Sequence, residues 1–157
     1  MNIRLIAIGK TDQTNLQFMI DEYAKRLGFY VNFEITIIAD IKNVKNLSES
    51  QQKEKEGENI LTQTASSDHI ILLDERGKMY SSVAFSDEIQ KKMNMGLKNL
   101  VFVIGGPYGF SEKVYKRANG LISLSQMTFS HQMVRLFFVE QLYRAFTILK
   151  NEPYHHQ

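Results

Sequence analysis

The chain has 157 residues, a formal net charge of +2 and no cysteine. That length fits one domain, and 43 % apolar residues suffice for a core. The missing thiols exclude disulfides, thiolate metal sites and a cysteine nucleophile, and the small charge excludes a strongly basic nucleic-acid coat. No early apolar run has signal-peptide shape, because Asp12 and Gln13 cut it short, and none approaches transmembrane length. The expectation is a cytoplasmic protein.

In chain order, Ile3 to Ile8 reads as a strand ended by Gly9. Leu16, Ile20, Tyr23, Ala24 and Leu27 recur at helical spacing after a polar stretch, and Gly28 stops that helix. Phe33 to Ala39 alternates and is β-branched, a second strand. Asp40 to Leu47 is a polar connection. Ser48 with Gln51 fits a capping box for the charged helix that follows. Gly57 inside that helix costs about 1 kcal/mol relative to alanine, which suggests either simple tolerance or close packing on a neighbour.

Ile70 to Leu73 is a third, buried strand, and Asp74 to Lys78 reads as a charged loop at its carboxyl end. Phe85 and Ile89 share a helix face that Gly96 closes. Leu100 to Ile104 is almost wholly apolar, as a strand buried on both faces should be. Gly105, Gly106 and Gly109 follow, a pattern that permits positive φ and close backbone approach to a ligand. Ser111 can cap a short helix through Ala118, and Leu121 to Leu124 is the next strand. The segment Ser125 to Ser130 leads into a final helix from about His131 to Lys150.

Strands alternating with helices imply an α/β fold with a largely parallel sheet. Two loops, each following a strand, can then face one pocket at the carboxyl ends. The final helix carries apolar side chains on more than one face. It is either a central core helix or, as expected in so small a chain, a subunit interface, most simply in a two-fold dimer.

Familiar chemical signatures are missing. There is no Walker phosphate loop, no dinucleotide fingerprint (the glycines have the wrong spacing) and no HExxH. The four histidines lack metal-ligand spacing, so no metal is expected. Spacing alone gives a pocket for something small and no assigned reaction.

Several motifs in order carry a resemblance. VFVIGGPYGF at 101–110, LISLSQMTFSHQMVRLFFVEQLYRAF at 121–146, KEGENIL at 55–61, LLDERGK at 72–78 and NEPYHH at 151–156 together resemble the RlmH family. That family belongs to the SPOUT class of α/β-knotted methyltransferases. The resemblance covers the whole chain. It implies a carboxyl-terminal trefoil knot, a homodimer, S-adenosylmethionine as cofactor and methylation of N3 of a pseudouridine in 23S large-subunit ribosomal RNA.

Carried over position by position, the resemblance puts the cofactor against Leu73 and Asp74, against Gly105 and Gly106, and against Ser125, Gln126, Met127, Thr128, Phe129 and Ser130. Many relatives have proline where this chain has Ser130, and serine is a good N-cap for the helix that follows. Loop backbone groups can read an adenine, with apolar side chains such as Leu73, Ile104, Met127 and Phe129 around it. The methyl donor is already activated, so alignment carries much of the catalysis. The N3 proton must also leave. His131, Arg135, Tyr143 and Arg144 are candidates around the pocket mouth, with Tyr154 and His155 of the tail. His131 and Arg135 stand one turn apart and can face one site. Arg144 can instead pair with Glu140. The tail can reach the partner protomer's pocket.

The small net charge gives little grip on phosphate. Lys10, Lys25, Arg26, Lys113, Lys116 and Arg117 form at most a dispersed basic rim. An assembled ribosome as substrate, read as a composite surface by the dimer, resolves this. The alternatives are a non-enzymatic ribosome-binding adaptor with the same fold, and a flavodoxin-like enzyme that binds a flavin or nucleotide.

Overall fold

A computed structural model describes residues 1–156. Its elements run β1 (Asn2–Ile8), α1 (Thr14–Leu27), β2 (Asn32–Ile38), α2 (Glu49–Thr62), β3 (His69–Met79), α3 (Ser82–Asn94), β4 (Asn99–Ile104), α4 (Glu112–Arg117), β5 (Gly120–Ser123) and α5 (His131–Leu149). The strands form a parallel sheet in the order β2-β1-β4-β3-β5. The α/β expectation therefore holds, and no helix among the described residues is long and apolar enough to cross a membrane.

The sheet is buried on both faces, and the two-residue period of a strand sorts its side chains between two cores. Leu5, Phe102 and Ile71 join Ile20, Ile89, Phe138 and Leu142 on the side of α1, α3 and α5. Ile6, Val103 and Leu72 join Ile60 and Val114 on the side of α2 and α4. β4 lies at the centre, with Leu100, Phe102 and Val103 each 0 % exposed. Phe102 meets Phe138 at 4.6 Å between ring centroids, which ties α5 to the middle of the sheet.

Local chemistry sets most helix ends. Ser48 accepts from the Gln51 amide, and the Gln51 side chain accepts from the Ser48 amide, completing the capping box. Ser81, Ser111 and Ser130 cap α3, α4 and α5 by accepting from the amides of Ala84, Val114 and Met133, without the reciprocal bond. Gly57 is a packing residue: a Cβ there would stand 3.1 Å from Ser111 Cβ and would also collide with its Oγ. Helix α2 thus lies against the start of α4.

One boundary departs from the sequence reading. Asp74 to Lys78 is no terminal loop. β3 continues to Met79, with a register shift between Leu73 and Lys78 against β5. The charged stretch bulges out of the ladder, which resumes at Lys78 opposite Ile122, and a Cβ on the adjoining Gly77 would lie 2.5 Å from the Ile122 backbone.

Candidate active site

At the carboxyl ends of β3, β4 and β5 lies a cavity of about 790 Å³. Its lining includes Leu73 and Asp74 from β3, Ile104 to Phe110 from β4 and its glycine loop, and Leu124, Ser125, Met127, Thr128 and Phe129 from the loop after β5. His131 and Val134 at the start of α5 close one side. Three chain reversals thus place backbone polar groups around one space of mixed lining, where Leu73, Ile104 and Phe129 face charged side chains such as Lys53, Glu54 and Glu112, at the strand ends where parallel sheets hold ligands. Met127 is 74 % exposed and Phe129 37 %, so both are open to covering by a flat apolar ligand in the cavity they line.

The expected cofactor positions Leu73, Asp74, Gly105, Gly106, Ser125, Met127, Thr128 and Phe129 all line this cavity. Gln126 and Ser130 do not. Gln126 is exposed, and the Ser130 hydroxyl is occupied in accepting the Met133 amide at 3.3 Å. The Ser125 hydroxyl accepts from the Met127 amide at 3.0 Å, and Ser123 Oγ donates to the Ser125 carbonyl at 2.9 Å. These bonds hold the third loop without regular structure.

Two of the loop's glycines have packing roles that the sequence did not suggest. Only Gly109 of the loop has positive φ, +80°. Gly105 makes room for the Phe110 ring, 3.1 Å from where its Cβ would be. Gly106 makes room for the Glu56 carboxyl, whose Cδ lies 2.7 Å from the same point. Both gaps are filled by the protein's own side chains.

Sequence reasoning missed Arg76 and Tyr115, which line the cavity and bind Asp74. Tyr115 donates its hydroxyl to Asp74 Oδ2. Arg76 donates from its backbone amide and its Nε to Oδ1, at 2.9 and 3.3 Å. The guanidinium stacks over the Tyr115 ring at 4.4 Å. Burial pushes the Asp74 carboxyl up, but the Tyr115 hydroxyl and the Arg76 groups outweigh it and hold the carboxyl below its usual range. Both carboxyl oxygens therefore accept bonds from within the chain, which fixes the Asp74 side chain at the cavity wall. The charged DERGK run was the available signal for Arg76; nothing local marked Tyr115, which comes from α4.

The expected reaction residues divide into groups. His131 lines the cavity. Arg135 does not. It is 2 % exposed, turned towards the end of β1, and donates to the Ile8 carbonyl at 2.7 Å and to Thr11 Oγ1 at 3.1 Å. The expectation that His131 and Arg135 face one site is corrected: one helical turn sets their spacing, but the β1 terminus draws the guanidinium inward.

Tyr143, Arg144, Tyr154 and His155 gather instead at the far end of α5. Asn151, at φ +55°, turns the chain back there, and the Glu152 amide bonds the Thr147 carbonyl at 2.9 Å. The tail then lies along the helix. Tyr154 packs edge-on against Tyr143, 4.8 Å between centroids, and donates to Glu140 Oε1 at 2.9 Å. With its proton so used, Tyr154 accepts from the Tyr23 hydroxyl at 3.2 Å. Burial, with the Tyr23 and Glu140 bonds, raises the Tyr154 phenol above its ordinary value. Arg144 pairs with Glu140 at 2.5 Å, so the i, i+4 pair forms, and its Nη1 also reaches His155 Nδ1 at 3.2 Å. From His131 to Arg144 the helix rises about 20 Å. One protomer therefore does not bring its tail to its own cavity.

The basic rim is thinner than its residue count. Arg117 is spent on the carbonyls of Ala65, Ser66 and Asp68, at 2.7, 3.3 and 3.0 Å. Lys113 and Lys116 approach Glu58 and Glu112 at 4.0 and 3.6 Å. No group of three or more metal-ligating side chains occurs among the described residues.

The chain matches a family model described as "Predicted SPOUT methyltransferase" over residues 1–155. It is 75 % identical over 157 residues, the full length of both chains, to the ribosomal RNA large subunit methyltransferase H of Flavobacterium psychrophilum. The proteins of that name from Flavobacterium johnsoniae and Porphyromonas gingivalis are 73 % and 54 % identical, again over all of both chains. A parallel sheet with its cavity at the strand ends, matched by full-length relatives at such identity, places this chain in the SPOUT methyltransferase family, within its ribosomal RNA large subunit methyltransferase H branch.

Proposed function

We propose that this enzyme takes a methyl group from S-adenosylmethionine and transfers it to N3 of a pseudouridine in 23S large-subunit ribosomal RNA, acting as a homodimer on the assembled ribosome. The observation that carries the cofactor assignment is the cavity itself, in which backbone-rich loops alternate with Leu73, Ile104, Met127 and Phe129. Such a lining fits an adenine ring read by main-chain groups. The names of the relatives supply the RNA, and the family resemblance supplies the atom.

When bound, the cofactor supplies an electrophilic methyl group on a sulfonium. The chain's own residues do the rest. The three loops fix the ligand's position, and alignment of nucleophile and methyl group accounts for much of the barrier reduction. The imide N3–H must give up its proton, and His131 is the imidazole that lines the cavity. Arg144, held by Glu140 and His155, is too far up α5 to serve its own cavity, and in the dimer it offers the other protomer's cavity a cation that favours the deprotonated imide.

Two observations support the dimer. Met133 and Phe137 on α5 are each 38 % exposed, and Phe137 packs on Phe129 at 5.0 Å, so an apolar strip runs outward from the cavity's edge. The tail cluster is also too far from its own cavity to serve it. A two-fold partner lying along α5 brings the second tail to the first cavity.

The test is transfer of labelled methyl from S-adenosylmethionine to unmodified ribosomes, with free large-subunit RNA alongside. Label at a pseudouridine on ribosomes, and little on free RNA, is the expected result. Equal labelling of free RNA would overturn the composite-surface reading. No label from folded protein would favour the adaptor.

A further inference from the structure

Glu56 is 4 % exposed and stands on α2, directly beneath the glycine loop. Its Oε1 accepts from Gln52 Nε2 at 2.9 Å. Its Oε2 has neither a hydrogen-bond partner nor contact with solvent. That oxygen occupies the space where Gly106 lacks a Cβ, and Gly106 has no positive φ to explain the glycine otherwise. The loop is a tight unit: the Gly109 amide bonds the Gly106 carbonyl at 3.2 Å. It is a wall one backbone thick, with Glu56 on one side and the cavity on the other. The support is itself fixed, because Gly57 seats α2 against Ser111 and Val114.

We propose that Glu56 is a positioning residue of the cofactor site, holding the Gly105–Gly109 loop at its working height through the Oε2–Gly106 contact. The inference rests on the cofactor reading of the cavity. An ionised carboxylate with an unpartnered buried oxygen is costly, so the closed loop favours the neutral acid. Burial accordingly raises this carboxyl above the ordinary glutamate value. The Gln52 bond opposes the rise, Asp40 adds to it, and His131 opposes it. Lys10, Asp12, Asp40 and His131 line, with Glu56, a neighbouring crevice of about 320 Å³. On losing its proton the carboxyl needs hydration, which turning towards that crevice supplies beside Lys10 and His131, and the turn withdraws support from Gly106.

The experiment pairs two readouts. Calorimetry with S-adenosylhomocysteine, between about pH 5.5 and about pH 8, reads affinity, and the Gly106 amide shift in ¹⁵N-labelled free protein reads the loop. In the wild type, affinity is expected to weaken about tenfold as pH rises, equivalent to about 1.4 kcal/mol, with an inflection in the Gly106 shift. Glu56→Gln, uncharged at every pH, is expected to keep the low-pH affinity throughout and to lose the inflection. Glu56→Ala should bind weakly at every pH. An inflection that survives in Glu56→Gln but vanishes in His131→Asn overturns the proposal, as does a wild type flat in both readouts. If the ligand fails to bind at any pH while Gly106 titrates as expected, the cofactor reading falls and the coupling of Glu56 to the loop stands.

Discussion

Arg135 shows at the scale of one residue how a polar side chain in a core helix is satisfied. Its guanidinium donates to the Ile8 carbonyl and Thr11 hydroxyl, joining α5 to the end of β1. Its Nε has no partner. Arg135→Ala removes both bonds, leaves the Ile8 carbonyl unpaired and opens a cavity, and should cost roughly 2–5 kcal/mol by urea denaturation. A full-stability variant that loses only methyl transfer would return Arg135 to the reaction. Asp74 gives the second prediction at this scale. Its carboxyl is held low in the folded protein by Tyr115 and Arg76, so it contributes stability above the ordinary aspartate value of 3.8, lost as pH falls through the lower folded value. Tyr115→Phe raises the folded pKa and should move the acid unfolding midpoint to higher pH. An unmoved midpoint would show that Tyr115 does not hold the carboxyl.

Helix α5 joins the core, the cavity and the tail. Its start lines the cavity, its middle packs Phe138 on Phe102, and its end carries the tail cluster. Phe138→Ala should cost about 3–5 kcal/mol, the range for a fully buried aromatic ring, read as a lower urea midpoint with unchanged slope. At α2, Gly57→Ala gains about 1 kcal/mol of helix propensity but forces a methyl into Ser111, at a cost of about 1–3 kcal/mol. Net destabilisation is expected in thermal unfolding; a more stable variant would show that α4 yields. The tail's own latch, Tyr30 donating to Glu152, pushes the Tyr30 phenol up to about 12. Tyr30 should therefore resist titration in alkaline ultraviolet spectra.

For the whole molecule, the separation of tail and cavity makes a strong test. In the proposed homodimer, a protomer lacking residues after Pro153 and a protomer with a spoiled cavity should each be inactive when paired with their own kind. Mixed and re-equilibrated, they should recover about a quarter of wild-type transfer, since half the dimers are mixed and each has one complete site. No recovery, with mixed dimers present, would place the tail outside the partner's site.

The order of strands and helices was legible in the chain alone, because β-branched runs, serine caps and helical spacing act within a few residues. The glycine loop and the polar loop before α5 were legible too, and the family motifs tied them to a methyltransferase. Only the tertiary structure decided which side chains meet. Tyr115 reaches Asp74 from 41 positions away, and Arg135 meets Ile8 from 127. The role of Gly106 was equally hidden, since its neighbour Glu56 lies on another helix. Local spacing fixes where a side chain leaves its own element, whereas its hydrogen-bond partner depends on which elements the sheet brings alongside. His131 and Arg135 share a face by periodicity, yet the buried β1 carbonyl claims one and the cavity the other.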